Sequence, residues 1–470
     1  MKSLISHGRT GLIGLGLGLL STGVILVASL SDTLLVTVEQ DLTHYWRTTY
    51  DILVRPAGSR SPIEEKYGLV EANHLSGIPG GISFAQYEAM RDIPGVEVAA
   101  PVAMLGYLAE EIPLHNVGFP SEMGLYELTS ELAEDTGVGL PAFQVFRASY
   151  YYVNPSAGIG SIPEINVNVN PPLGIRDYIE FPFLMAGIEP AQEAALVGLD
   201  RALVEGKYLS GEEALPLETT TDWLGNPITQ TRIPVLINAT PYLSFTIKTE
   251  LKRVVLPSEI SGLDALAAQS SQDLASLPRE TLAIQQSSSK AVYQKLLENL
   301  RFRSSQFTLL HESPIGVPAP MQYQETVPPF PWEGVALEIV LPEETPQTLW
   351  TVGSVWGRPY RAGSFVRVGD EKVKFRVAFS IYAKGVLDIE KIPRPVDVNR
   401  VPLETYFPPV SILRYDEEGH PVEARMLRPS LNWAGYIQPP PLLLTTLQAA
   451  RLLRGDNCIS AIRVRVGGID

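Results

Sequence analysis

Six histidines, His7, His44, His74, His115, His311 and His420, are the first side chains to test for chemistry. No two are spaced i, i+4 and no HExxH occurs, so no helix face presents the paired imidazoles of a zinc helix. His311-Glu312 stands beside Ser313 in a proline-rich loop. These are the residue types of a base and a nucleophile, but geometry would have to supply everything else. Paired carboxylates occur at Glu64-Glu65, Glu110-Glu111, Glu212-Glu213 and Glu343-Glu344, with Asp416-Glu417-Glu418 in "RYDEEGH". Two carboxylates at the right separation hydrolyse glycosides. Here they read as solvated turns, because nothing in the sequence gathers two of them into one cleft. The single cysteine, Cys458, excludes an intrachain disulfide and a cysteine zinc site. In "DNCISAIRV" it reads as a small buried apolar residue. Neither GxSxG nor GxxxxGK[ST] is present, and "GLGLG" follows no strand, so it is no dinucleotide motif. No catalytic residue, no cofactor and no metal is expected.

Those residues would have to be held by a large acidic body. The chain has 470 residues, too many for one compact core of usual size. Hydrophobic residues make up 45% and charged residues 19%, which fits a folded chain. The formal net charge is −15 and no basic patch interleaves with aromatics, which argues against a nucleic-acid partner.

The clearest local signal is "GGISFAQYEAMRDIPGVEVAAPVAMLGY". Ser83 and Gln86 form a capping box, Phe84, Tyr87, Met90 and Ile93 give one apolar side, and Pro94-Gly95 stops the helix. With strands at "YDILVRP" and "VEVAAPVAM" this makes a strand–helix–strand unit. A similar unit closes the chain: a strand at "FRVAFSIYA", a helix over "TTLQAARLLRGDN" capped by Thr445 or Thr446, and a strand at "ISAIRVRV". In that strand Ile462, Val464 and Val466 alternate with Arg463 and Arg465, which predicts one apolar and one solvated face. The two units read as a pseudo-repeat around a large insertion. Within the insertion, residues 258–302 read as mostly helical and 311–334 as a loop. "SFVRVGDEKVKFRVAFSIYAKG" reads as a hairpin turning at Gly369-Asp370. The aromatics of "PPFPW" (Pro328–Trp332) read as a loop packed on the body, with a role as a partner anchor as the alternative.

Gly11–Ser31 is 21 residues without a charge, about 30 Å as a helix, the thickness of a bilayer core. Lys2 and Arg9 precede it, and Asp32, Glu39 and Asp41 follow. The positive-inside rule then places the N-terminus in the cytoplasm and the body outside. The run exceeds the apolar core of a cleaved signal peptide, so a retained single-pass anchor is expected. Gly14, Gly18 and Thr22 share one face and would let partner helices approach closely.

Taken together, "YDILVRPAG", "GGISFAQYEAMRDIPGVEVAAPVAMLGY", "AGIEPAQEAALVGLDRALVEGKYL", "VPLETYFPP", "PPPLLLTTLQAA" and "ISAIRVRVGGID" resemble ABC-transporter permeases of the MacB/FtsX type. The resemblance is best over residues 50–106 and 398–470. It implies an α+β fold, in which a single N-terminal transmembrane helix is followed by a porter-like domain of strand–helix–strand units with a large mixed, β-rich inserted subdomain. The implied division is 1–10 cytoplasmic, 11–31 transmembrane, 32–49 linker, 50–110 and 365–470 porter-like, and 111–364 inserted. It also implies a membrane-located dimer coupled to a cytoplasmic ABC ATPase, handling substrates outside the membrane without catalysis of its own. The family's three further membrane helices do not follow Asp470, so the expectation is a truncated or split subunit. The competing readings are a surface binding or adhesion protein without an ATPase, and an anchored wall hydrolase.

Overall fold

The structure is a computed structural model that describes residues 48–467 except 72, 119, 140–142, 173, 222–226, 303–307, 310–314, 344–358, 367–377, 394–400 and 402. Its main strands are β1 (Ile52–Val54), β2 (Val96–Val117), β3 (Gly124–Glu134), β4 (Gln144–Val153), β5 (Ile175–Ile188), β6 (Pro227–Asn238), β7 (Phe245–Val254) and β8 (Arg279–Ser288). They continue with β9 (Gln322–Glu325), β10 (Leu337–Val340), β11 (Phe379–Leu387), β12 (Ile412–Tyr415), β13 (Pro421–Met426), β14 (Leu443–Thr446) and β15 (Ala461–Val466). The helices used below are α1 (Phe84–Arg91), α2 (Pro190–Val197), α3 (Ser289–Phe302) and α4 (Leu447–Arg454).

The central sheet runs β1-β15-β2-β5-β14-β6-β11. β1 and β2 flank β15, and α1 lies between them in the chain; β14 and β15 flank β5 and β2, and are joined through α4. Local chemistry starts both helices. The Ser83 hydroxyl accepts the Gln86 N–H at 3.2 Å, while Gln86 Oε1 accepts the Ser83 N–H at 2.8 Å. Thr446 caps α4 by accepting the Ala449 N–H at 3.1 Å. Phe84 and Tyr87 of α1 and Leu447, Ala450 and Leu453 of α4 enter one core with α3 and the central strands. Ile93 lies beyond the end of α1 and is 52% exposed.

β2 keeps one apolar face through a change of phase. Ala99, Ala103 and Leu105 face the core, and beyond a bulge Leu108, Ile112 and Leu114 do so. Gly106 makes the bulge at φ +123°, and a Cβ there would lie 2.6 Å from Ile315 Cγ2. A second sheet contains β8-β7-β3-β4, then Val167–Val169 and Gly160–Ile162. It is cored on Leu125, Tyr152, Val254, Leu266 and Leu274 and on Tyr126, Leu128 and Leu251.

Several expectations are corrected here. The fold is not the α+β body expected: it is mostly β, 42% strand against 19% helix. Among the described residues no helix is long and apolar enough to cross a membrane. Gly11–Ser31, with Gly14, Gly18 and Thr22, lies outside the described residues. The single transmembrane helix and the single-pass membrane location are therefore withdrawn. Residues 279–288, read as helical, form strand β8, because pairing with β7 at nine positions outweighs the helix propensity of Leu, Ala and Gln. The described flanks of the expected 364–385 hairpin pair elsewhere: Gly363–Val366 with Ile315–Pro318, and β11 with β6. The turn Gly369-Asp370 lies outside the described residues. The arginine face of β15 is not the solvated face expected, because α2 packs over it: Arg463 is 1% exposed, and the half-buried Arg465 donates to the carbonyls of Ala195 and Leu196.

Candidate interaction surface

Segments without regular structure converge on a buried polar cluster. Arg361 Nη2 lies 3.0 Å from Glu71 Oε1 and donates to the Tyr436 carbonyl at 3.4 Å. The other Glu71 oxygen accepts the Met321 N–H at 3.1 Å. His74 Nδ1 is 2.9 Å from Glu404 Oε1, which also accepts the Leu75 N–H at 3.1 Å. The Gln438 N–H donates to Asn73 at 3.1 Å, and its side chain joins the Ser76 hydroxyl to the Trp433 carbonyl. Burial pushes the Glu71 carboxyl above its ordinary range, against the pull of Arg361 and of the Met321 N–H. Burial opposes charge on His74, but the Glu404 carboxylate outweighs it and raises the imidazole above its ordinary value. Among the described residues, Arg361 Nε and Nη1 and the Tyr107 hydroxyl have no hydrogen-bond partner. The cluster therefore specifies where loops dock more than it adds net stability.

Leu403–Tyr406 carries this cluster to a second one. Glu404 meets His74, and two residues on the Tyr406 hydroxyl donates to Glu193, whose other oxygen accepts from Arg463. Glu193 and Tyr406 are fully buried. Burial drives the Glu193 carboxyl upward, while Arg463 and Tyr406 hold it back.

Two hairpins rise from these docked loops. β9–β10 follows Met321 and is tied to the body by the Lys66–Glu325 ion pair. β12–β13 is tied at its base by the Ser411 and Tyr436 hydroxyls, 3.2 Å apart, and by the Arg428–Asp135 ion pair. Phe330, from the β9–β10 connection, stacks on Tyr415 at 4.0 Å between centroids and 8° between planes. Trp332 meets Phe330 edge-on at 6.4 Å. Large apolar groups of the two hairpins stand in solvent: Val327 at 92% exposure and Trp332 at 55% in the β9–β10 connection, and Met426 at 60% and Ile412 at 49%, which pair with each other at the base of β12–β13. The two hairpin segments are acidic in sequence. Residues 321–340 contain Glu325, Glu333 and Glu338 and no Lys or Arg; 411–427 contain Asp416, Glu417, Glu418 and Glu423 against Arg414 and Arg425.

Glu134, at the end of β3, accepts the Leu431 N–H at 2.6 Å and so docks the 430–438 segment. Burial pushes its carboxyl up to about 7, against that N–H. The native state then holds a proton that the unfolded chain releases near 4.5, so the contribution of Glu134 to stability is full below 4.5 and is lost as pH rises to about 7. Glu134→Gln keeps the acceptor and should flatten that slope, which has a ceiling of about 3 kcal/mol. Urea midpoints at several pH values between the two limits measure it.

The candidates from the sequence are dispersed. His7, His44 and the His311-Glu312-Ser313 trio lie outside the described residues. His115 Nε2 is 3.3 Å from the Ser287 hydroxyl. Glu64 pairs with Arg55 and Glu213 with Lys384. Asp416, Glu418 and His420 gather within 4.8 Å at the surface turn of β12–β13. Cys458 is 2% exposed, and burial pushes its thiol up to about 11. The "PPFPW" loop both packs, through Phe330, and exposes Trp332. Sequence reading missed Glu71, Arg361, Glu404 and Glu193. The one signal was in "VPLETYFPP", where Glu404 and Tyr406 interrupt an apolar, proline-flanked run.

No family model, no curated protein and no solved structure matches the chain. With no membrane-spanning helix among the described residues either, the expected labels of ABC-transporter permease and FtsX-like protein are corrected and withdrawn.

Proposed function

We propose that this chain is a non-catalytic binding protein that grips a macromolecular partner through the paired hairpins β9–β10 and β12–β13. The observation that carries this reading is the Phe330–Tyr415 stack joining two hairpins that also expose Trp332, Val327, Met426 and Ile412. Scattered exposed apolar residues are ordinary; two hairpins locked together by an aromatic stack and exposing four large apolar side chains have the composition of a binding hot spot. Rigid support fits the same role. The polar cluster fixes the bases of both hairpins, and the aromatic stack fixes their tips, so little ordering entropy is lost on binding.

A displayed random-peptide library, selected on the full chain and counter-selected on a Trp332→Ser/Met426→Ser variant, tests the reading. Peptides enriched on the parent should bind the variant at least about tenfold more weakly, the loss expected when hot-spot side chains worth about 2 kcal/mol or more are removed. Circular dichroism should show both chains equally folded. Selected peptides that bind both chains equally would remove the hairpins from the function.

A further inference from the structure

Resting on that reading, we infer that the partner is a protein segment whose apolar anchors are flanked by Lys and Arg. Segments 321–340 and 411–427 hold seven carboxylates and two arginines, a net of −5, whereas the whole chain of 470 residues carries −15. Thus 37 residues hold a third of the net charge, on the same two hairpins that expose Val327, Trp332, Ile412 and Met426. Of the seven, Glu325 is matched by Lys66; no ion pair to a Lys or Arg occupies Glu333, Glu338, Glu417, Glu418 or Glu423 among the described residues. Asp416 is held below the ordinary carboxylate range by the His420 N–H, which keeps the β12–β13 turn anionic.

Charge of this kind selects partners by repulsion as much as by attraction. An anionic bilayer would meet the same hairpins with its own negative surface potential, so insertion of Trp332 into such a membrane is disfavoured. A basic, apolar segment satisfies both features: its aliphatic or aromatic side chains cover Trp332 and Met426, and its cations face Glu417, Glu418 and Glu333.

The test uses two synthetic peptides with the same Trp-Leu core, flanked by lysines in one and glutamates in the other, titrated into the full chain by fluorescence anisotropy. The lysine peptide should bind at least about tenfold more tightly at low ionic strength, and the advantage should shrink as salt is raised. Glu417→Lys/Glu418→Lys should narrow or reverse the preference. Equal affinity for both peptides, abolished by Trp332→Ser, would overturn the inference and leave the hairpin site standing. Binding that ignores Trp332→Ser would overturn the hairpin reading itself. Tight binding to vesicles of anionic phospholipid, lost on Trp332→Ser, would assign the surface to membranes and overturn the inference.

Discussion

Glu193→Met is expected to cost the fold about 3–5 kcal/mol, read as a lowered urea midpoint, because it leaves the Arg463 guanidinium in the interior without its carboxylate. Arg463 is 1% exposed and Glu193 0%. The guanidinium cannot shed its proton in a protein, so it cannot escape by neutralising. The reciprocal change, Arg463→Met, should cost less in acid. The remaining carboxyl can take a proton there and keep its contact with the Tyr406 hydroxyl. Its native-state pKa then lies above the ordinary value, so the deficit of Arg463→Met should grow as pH rises above about 4.5. The double variant Glu193→Met/Arg463→Met should recover most of the loss, since two apolar side chains replace a desolvated ion pair. A double variant no better than the sum of the singles would show that the two side chains act independently.

Trp433→Ala should be comparably severe, about 3–5 kcal/mol, the range for deleting a large buried aromatic. The ring is nearly buried and lies across two strands at residues with no side chain. It packs on Gly316 at 3.2 Å from the place a Cβ would occupy, and on Gly363 more closely still. It also faces Tyr107 at 6.0 Å. Removing it empties the space beneath Ile315–Pro318 and Gly363–Val366, next to Arg361 and the start of β9. Peptide binding at the hairpins should therefore weaken along with stability. Trp433→Phe, which keeps a ring on the two glycines, should lose much less of both. A Trp433→Ala chain that binds peptides as the parent does would show that the hairpins do not depend on this support.

Sequence alone determined the features whose causes lie within a few residues. The α1 capping box is an i, i+3 exchange between Ser83 and Gln86, and the α4 cap is an i, i+3 contact of Thr446. The alternation of β15 was equally legible, because a strand's two faces are written in every second residue. What covers each face was not legible. Arg463 meets Glu193 across 270 residues, and Glu404 reaches Leu75 across 329. No local pattern marks a charge as buried when its counter-charge comes from another element. The same limit explains β8, where a nine-pair register with β7 decided between strand and helix. It explains the hairpin surface too. "PPFPW" read as a loop packed on the body and "RYDEEGH" as a turn, and only tertiary packing stacks Phe330 on Tyr415 and joins the two segments. Local hydrogen bonds and periodicity act over one turn or one pleat and are therefore written in the sequence; pairing, burial and charge neutralisation act between distant segments and were decided by the tertiary structure.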